Sequence, residues 1–289
     1  MSEPTAAGAP APPATDKKRG DFATRLLSVI WIIPILVFVI WWKDERGVFA
    51  VVSIAAAIGL HEFFTMTRAD AVEKWLGVAL GLTVSSLLYW RPTWLLPAIP
   101  GVFMVAFIAV MLRAGDLKTT ATRTAFQIMG IFYVGFLFMH LALAKKLPGT
   151  EHGGWIFLIL TVNWFADTGA YITGRAIGKH KLYPAVSPGK SVEGAIGGLV
   201  ASVGAGVLAK LWYLPILTWV DVLAITIPAS ALGQAGDLCE SMLKRAVGIK
   251  DSGKLLAGHG GILDRVDAVT FGAPYIFWYA MIVKFGWRG

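Results

Sequence analysis

The chain has a single cysteine, Cys239, among 289 residues, so an intrachain disulfide is excluded. Charged residues are also scarce, at 15% of the chain against about 25% in an ordinary soluble domain. No group of cysteine and histidine residues has the spacing of a zinc site. No period of about 20 to 50 residues indicates structural repeats. These absences exclude a disulfide scaffold, a zinc module and a repeat array.

Apolar residues, in contrast, make up 56% of the chain, and its mean hydropathy is +0.65. They fall in runs of about 17 to 22 residues, the length that crosses a bilayer as a helix. We predict an all-α polytopic membrane protein, a bundle of about nine transmembrane helices with a polar cleft at the inner leaflet. The predicted spans are 26–42, 48–66, 74–90, 94–112, 125–145, 154–173, 194–213, 217–236 and 268–286.

The first 24 residues are rich in Ala and Pro and then basic, a composition that predicts a disordered tail. Residues 25–289 form a single transmembrane domain in this interpretation. With the N-terminus inside, 18 of the 26 Lys and Arg residues lie in inner segments, which agrees with the positive-inside rule. Nine of those 18 lie in two late inner loops, which chemistry as well as topology can explain. The net charge of +8 favours anionic headgroups or a phosphate-rich substrate over nucleic acid.

The polar residues from position 236 to 267 are the strongest functional signal, because charge within a membrane chain is costly. On a helix, Asp237, Ser241 and Lys244 share one face with Arg245 beside it. Asp264 and Asp267 add two carboxylates three positions apart. Hard oxygen ligands of this kind suit Mg²⁺, held by one or two carboxylates together with substrate phosphates. The alternative is a solvated basic loop with local ion pairs.

A second polar block runs from Asn163 to Gly198. Asp167 and Tyr171 lie four apart on a predicted helix and can face one cleft, although a helix-pairing hydrogen bond also explains an intramembrane Asp. Arg175, Lys179, Lys181 and Lys190 follow among glycines and prolines, a mixture suited to phosphates but also common in inner loops. Ser191 is a predicted N-cap.

Two further residues admit two interpretations each. His259 lies among Gly258, Gly260 and Gly261, where it can contact a phosphate or only stabilise the turn. Glu62, near the end of the second span, is interpreted as an interfacial or structurally paired carboxylate rather than a substrate contact.

The order S-x-x-K-R-x4-K-D-x-G-x2-L-x2-H-G-G-x2-D-R-x-D from Ser241 to Asp267 resembles the signature of the phosphatidate cytidylyltransferases. Asp167 to Tyr171, Ser187 to Gly194 and Gly236 to Leu238 resemble other stretches of that family, in the same order. The resemblance covers about 163–267, the predicted active-site region. The sequence departs from the family pattern at Ala257, Gly189 and Ser191.

The resemblance implies transfer of the cytidylyl group of CTP to phosphatidic acid, giving CDP-diacylglycerol and pyrophosphate. It implies Mg²⁺ held by Asp237 and Asp264, and it leaves a second metal ion and a homodimer open. The catalytic residues that it implies are Asp237, Asp264, Asp267, Lys244, Arg245 and His259. The substrate-binding residues are Ser241, Lys190, Asp167, Tyr171, Ser187, Arg265 and Lys250.

An integral, multi-pass protein of the bacterial inner membrane, with its active site facing the cytoplasm, is the expected setting. An ion-coupled transporter is the alternative from another class, since it also carries acidic residues within spans. Transporters place such residues near span centres, whereas the charges here gather at predicted span ends. An enzyme that transfers a phosphoalcohol from a CDP-lipid would need a carboxylate-rich helix, which the sequence lacks.

Overall fold

The computed structural model describes residues 34–113, 116–149, 152–253 and 260–287. These residues form a helical bundle, as the sequence predicts, together with one short hairpin that it did not predict. The helices are α1 (34–41), α2 (Glu45–Met66), α3 (Ala71–Trp90), α4 (Pro92–Leu112), α5 (Leu117–Gly130), α6 (His140–Leu143), α7 (Gly154–Ile177), α8 (Val192–Leu211), α9 (Trp219–Ala246) and α10 (Leu263–Tyr279). The hairpin strands are β1 (Lys181–Tyr183) and β2 (Ser187–Ser191).

Two helices continue with a change of pitch. A π-helical segment, Ile131–Leu137, joins α5 to α6, and a 3₁₀ turn, Ala144–Lys146, follows α6. A second π-helical segment, Ala280–Lys284, extends α10. The whole segment Leu117–Lys146 therefore counts as one membrane span.

Eight helical segments in the described ranges are long and apolar enough to cross a membrane, which confirms the predicted polytopic bundle. They correspond to the second to ninth predicted spans. The first predicted span, 26–42, is described only from residue 34, and 34–41 are helical. The predicted disordered tail, 1–24, also lies outside them.

The ends of three predicted spans were wrong, and all three errors concern polar residues. The span predicted at 125–145 begins as α5 at Leu117. The span predicted at 217–236 continues as α9 to Ala246, and the span predicted at 268–286 begins as α10 at Leu263. Polar side chains on the added turns bond along and between the helices: Lys244 Nζ lies 3.2 Å from Glu240 Oε2, one turn away. A hydropathy pattern ends a span where charge begins, although the backbone remains helical.

Polar residues at the helix starts explain where several helices begin. Asp70 accepts hydrogen bonds from the amides of Val72 and Glu73, at 2.8 and 2.9 Å, and so begins α3. Thr218 and Asp221 form a reciprocal capping box at the start of α9. Such side chains satisfy amides that have no partner in the first helical turn.

Helices α7 and α8 pack closely because small residues line their contact. A Cβ atom added at Gly194 would lie 2.8 Å from the carbonyl oxygen of Ala170, and one added at Gly198 would lie 2.8 Å from that of Ala166. Glycine therefore permits backbone-to-backbone contact at these points. This contact fixes the C-terminal end of α7 beside the N-terminal end of α8.

The helices α2, α7 and α9 end, and α3, α8 and α10 begin, at one end of the bundle, which we call the site end. The Glu62 carboxylate near the end of α2 accepts a hydrogen bond from the amide of Leu263, the first residue of α10. The ion pair between Arg123 and Glu73 joins α5 to the first turn of α3. The alternating directions agree with the predicted topology, in which all these ends lie on one side.

Candidate active site

A cavity of about 510 Å³ opens at the site end between α7, α8, α9 and the hairpin. The hairpin pairs Lys181 with Ser191 and Tyr183 with Ser187 in antiparallel register, where the sequence predicted only a loop. Ser191 caps α8, as predicted, because its Oγ accepts from the amide of Gly194 at 3.1 Å. The polar side chains that line the cavity belong to Asp167, Tyr171, Arg175, Ser187, Lys190, Ser191, Gln234 and Asp237.

Lys190 and Asp237 form the principal ion pair in the wall of this cavity. The Lys190 Nζ atom, on β2, lies 2.6 Å from Asp237 Oδ2, on α9. About a third of each side chain is exposed, at 28% and 34%. Ser241 Oγ donates to Asp237 Oδ1 at 3.4 Å from one turn further along α9. A cation, a carboxylate and a hydroxyl therefore meet at an accessible surface.

The α7 wall carries Asp167, Tyr171 and Arg175 at successive turns. The Arg175 guanidinium donates to the Tyr171 hydroxyl at 3.0 Å, and Asp167 is near enough to Asp237 and Lys190 for their charges to act on it. Asn163, a further turn back, is buried and donates to the carbonyl of Ile159. The predicted face of α7 therefore reaches the cavity through Asp167 and Tyr171, and Arg175 extends it by one turn.

A second polar cluster lies where α9 meets α10. Asp264 Oδ1 lies 2.7 Å from Lys244 Nζ, and Asp264 Oδ2 accepts from the amides of Ser252 and Gly261 at 3.1 and 2.9 Å. The Lys244 and Asp264 side chains are only 12% and 14% exposed. Asp264 thus ties the segment after α9 to the first turn of α10.

Glu240 is a site residue that the sequence interpretation missed. Its side chain is completely buried, Oε2 pairs with Lys244, and Oε1 has no hydrogen-bond partner. The Asp267 carboxyl comes within hydrogen-bonding reach of Glu240, and it is near enough to Asp237 for the two carboxyl groups to interact electrostatically. Sequence reasoning missed Glu240 because it selected Asp237, Ser241 and Lys244 for one helical face and left the other polar residue of the same run without a role.

Glu62 was interpreted as a structural carboxylate, and its contacts place it at the edge of the same cluster. Its Oε2 accepts from the amide of Leu263 at 2.9 Å, across 201 positions of sequence, and its Oε1 has no partner. A Cβ atom at Gly261 would lie 2.9 Å from the Glu62 carboxyl carbon. Only the glycine therefore leaves room for this carboxylate.

The remaining predicted site residues lie at the rim or outside the described residues. Arg245 is exposed and donates to the carbonyl of Ile249 at 3.1 Å, and Lys250 is exposed. Arg265 is exposed on α10 and has interaction partners. His259 lies outside the described residues.

The carboxylates at the site end are hard oxygen donors, and each contacts other protein groups in this structure. Lysine ammonium groups pair with Asp237, Glu240 and Asp264, while one buried oxygen of Glu240 keeps no partner. Within 34–113, 116–149, 152–253 and 260–287, no three acidic, His or Cys side chains converge enough to hold an ion alone. Because Mg²⁺ usually completes its shell with substrate phosphates and water, one or two of these carboxylates suit it.

Comparison with known proteins identifies the family of the chain. The model of the cytidylyltransferase family matches residues 23–283, so the chain belongs to that family, as its motifs predicted. The phosphatidate cytidylyltransferase of Staphylococcus aureus (strain COL) is 34% identical over 258 residues, which cover 88% of this chain and 95% of the relative. That of Staphylococcus saprophyticus is 46% identical over 153 residues, which span 53% of this chain and 57% of the relative.

Proposed function

We propose that this chain transfers the cytidylyl group of CTP to phosphatidic acid, giving CDP-diacylglycerol and pyrophosphate. Membership of the cytidylyltransferase family over residues 23–283 carries the proposal. The substrates are those of the similar phosphatidate cytidylyltransferases by name and chemistry. The ion-coupled transporter alternative gains no support from these relatives.

The reaction joins two anions, so the protein's main tasks are to position them and to offset their charge. A phosphate oxygen of phosphatidic acid attacks the α-phosphorus of CTP, and pyrophosphate leaves. Phosphate monoesters have a second pKa near 6 and are largely ionised at neutral pH, so the attacking group needs little help from a base. The cations and carboxylates of the site end match that requirement.

Lys190, Lys244 and Ser241 are the side chains that we assign to the phosphates inside the cleft. Each lysine now pairs with a carboxylate, at 2.6 Å from Asp237 for Lys190 and 2.7 Å from Asp264 for Lys244. Each can exchange that partner for a phosphate oxygen without crossing into an apolar environment. We assign further substrate contacts to Ser187 in the cavity lining and to the exposed Arg245, Lys250 and Arg265, and we keep His259, which lies outside the described residues, as a predicted site residue.

We assign Mg²⁺ binding to Asp237 and Asp264, with Asp267 beside them, and we leave a second ion open. Bound there, the ion would act as a Lewis acid on the CTP phosphates and as a template for them. The fit rests on hard carboxylate donors and on the partnerless buried oxygen of Glu240. Asp167 and Tyr171 would line the nucleotide side of the cavity.

The proposed setting is the bacterial inner membrane, with the site end facing the cytoplasm, where CTP is available. Eight candidate spans support a multi-pass membrane protein. The excess of Lys and Arg in the segments on the site side supports the orientation. Phosphatidic acid would then arrive sideways from the inner leaflet and CTP from water.

The proposal is tested by measuring pyrophosphate release from the purified, detergent-solubilised protein with CTP and phosphatidic acid. We expect release with CTP and much less with ATP, GTP or UTP, together with a CDP-lipid product. Release without phosphatidic acid, or none with CTP, would contradict the proposed reaction.

A further inference from the structure

A second concavity lies in the spanning region next to the polar site. Its volume is about 380 Å³. It opens between α9, α10 and the end of α5 with the π-helical segment Ile131–Leu137 that follows it. Apart from one hydroxyl and one thiol, the side chains that line it are apolar. They belong to Met129, Phe132, Tyr133, Leu137, Cys239, Met242, Leu243 and Phe271, and we call this concavity the apolar groove.

The apolar groove lies mainly on the side of α9 away from Asp237 and Ser241, and it meets the polar site at Leu243, one helical turn from Glu240. Cys239, Met242 and Leu243 line the groove, and their neighbours Glu240, Ser241 and Lys244 belong to the polar site. Phe271 supplies the other connection, because its ring packs 3.0 Å from where a Cβ of Gly236 would stand, next to Asp237. A molecule with an anionic head and an apolar tail could occupy both at once.

Tyr133 lies at the junction of the two regions. It is 8% exposed, and its ring is held between Phe63 and Phe271 at centroid distances of 6.3 and 5.9 Å. Its hydroxyl has no hydrogen-bond partner, although it is near enough to Glu240 and Asp267 for their charges to act on it. A buried hydroxyl without a partner is unfavourable, so a ligand that accepts a hydrogen bond from it would gain affinity.

The π-helical segment Ile131–Leu137 places Tyr133, Phe132 and Leu137 at this position. Gly135 in the same segment packs against the backbone of Gly81 on α3, where a Cβ atom would lie 2.7 Å from the carbonyl oxygen. Single π-helical turns within longer helices occur frequently at functional sites. This π-helical segment therefore packs against α3 on one side and lines the apolar groove on the other.

We propose that the apolar groove binds one acyl chain of the phosphatidic acid substrate, with the Tyr133 hydroxyl donating to an oxygen of the lipid's glycerol ester region. The proposal rests on the proposed function and adds to it the subsite that recognises the tail. The occupant is a substrate chain because the groove adjoins the Glu240 side of α9 at Leu243, and because the partnerless Tyr133 hydroxyl lies where the two regions meet.

Filling the groove tests the proposal through chain-length selectivity. Met129 is 37% exposed at the groove, so Met129→Trp adds bulk there without filling the core. We expect the ratio of kcat/KM for dioleoyl to that for dihexanoyl phosphatidic acid to fall about tenfold, the scale of a few lost apolar contacts. The matched control is Met104→Trp, a 58% exposed methionine on α4 away from the groove, which should keep the wild-type ratio. An unchanged ratio in Met129→Trp would overturn the proposal.

The Tyr133→Phe variant tests the hydroxyl alone, because the ring and its packing are kept. We expect the KM for phosphatidic acid to rise severalfold, while the KM for CTP and the thermal stability stay the same or the stability increases. An unchanged KM for the lipid would remove Tyr133 from the subsite.

The only cysteine of the chain gives a readout that does not depend on turnover. Cys239 lines the groove and is partly accessible, so its alkylation by a maleimide can be followed in phosphatidylcholine nanodiscs. We expect dioleoyl phosphatidic acid to slow alkylation several times more than the same amount of added phosphatidylcholine. Equal effects of the two lipids would mean that bulk lipid occupies the groove and would overturn the proposal. Failure of the wild type to form any CDP-lipid would instead refute the proposed function.

Discussion

The two ends of α9 each carry a buried carboxylate, but the two carboxylates differ in how many of their oxygens have hydrogen-bond donors. Asp221, near the start of the helix, is 6% exposed, and both its oxygens have donors: Tyr279 on one, and Lys284 with the Thr218 amide on the other. Glu240, near the end, is fully buried, one of its oxygens has no N–H or O–H donor, and its acidic neighbour within hydrogen-bonding reach is Asp267. A complete set of partners indicates a structural role, and an incomplete set indicates a place for a ligand.

Removing divalent cations is the largest test of this difference, because only the site end would depend on an ion from solution. We expect activity to disappear after chelation and to return when Mg²⁺ is added, since the ion neutralises the triphosphate. The measurement is CDP-lipid formation from labelled CTP after dialysis against a chelator. Activity that is indifferent to the chelator would remove the metal from the proposal.

Replacing one proposed ligand acid should have the next largest effect. We expect Asp237→Asn and Asp264→Asn each to lower kcat by about 10² to 10³, the usual effect of losing one preorganised electrostatic contact. Both proteins should still elute as folded species in size-exclusion chromatography. Full turnover in both variants would disprove the assignment of Asp237 and Asp264.

Lysines from the two ends allow a matched comparison. Lys190→Gln removes an ammonium group from the cavity, so we expect the KM for CTP to rise about tenfold, the scale of one charged hydrogen bond. Lys210→Gln is the control, because Lys210 lies at the opposite end and donates to the carbonyl of Leu217. The assignment of Lys190 would fail if both variants changed the KM for CTP equally.

The smallest effect on activity is expected from Asp221→Asn, which leaves Lys284 without its charged partner. We expect a loss of about 1–3 kcal/mol in the free energy of unfolding and an unchanged kcat per folded molecule. Glu240→Gln should show the reverse, with stability retained and kcat lowered. Thermal unfolding in detergent, followed together with CDP-lipid formation, measures both. Loss of turnover in Asp221→Asn with stability intact would reverse the comparison.

Much of the bundle could be predicted because long apolar runs follow directly from bilayer thickness. The same rule failed at Gly236 and at Leu263, where α9 and α10 carry charges on helical turns. Those turns are stable because Lys244 finds Glu240 along one helix and Asp264 on the next. A window of hydropathy contains no information about such partners.

The identity of the site residues could be predicted from the sequence more readily than the contacts between them. The spacing of Asp237, Ser241 and Lys244 predicted one helical face, and Ser191 was predicted as an N-cap. The contact of Glu62 with Leu263 joins positions 201 residues apart, so only the folded chain reveals it. The Lys190–Asp237 pair similarly depends on the hairpin, which the sequence suggested only as a loop.

The glycine contact between α7 and α8 has a consequence for how a lipid enters. Where Gly194 and Gly198 meet the backbone of α7, no side chain stands between the two helices that could rotate to open a gap. We therefore expect this flank of the cleft to behave as a fixed wall during turnover. We expect lipid substrates to enter through the opposite flank, where flexible methionine and aromatic side chains can change rotamer.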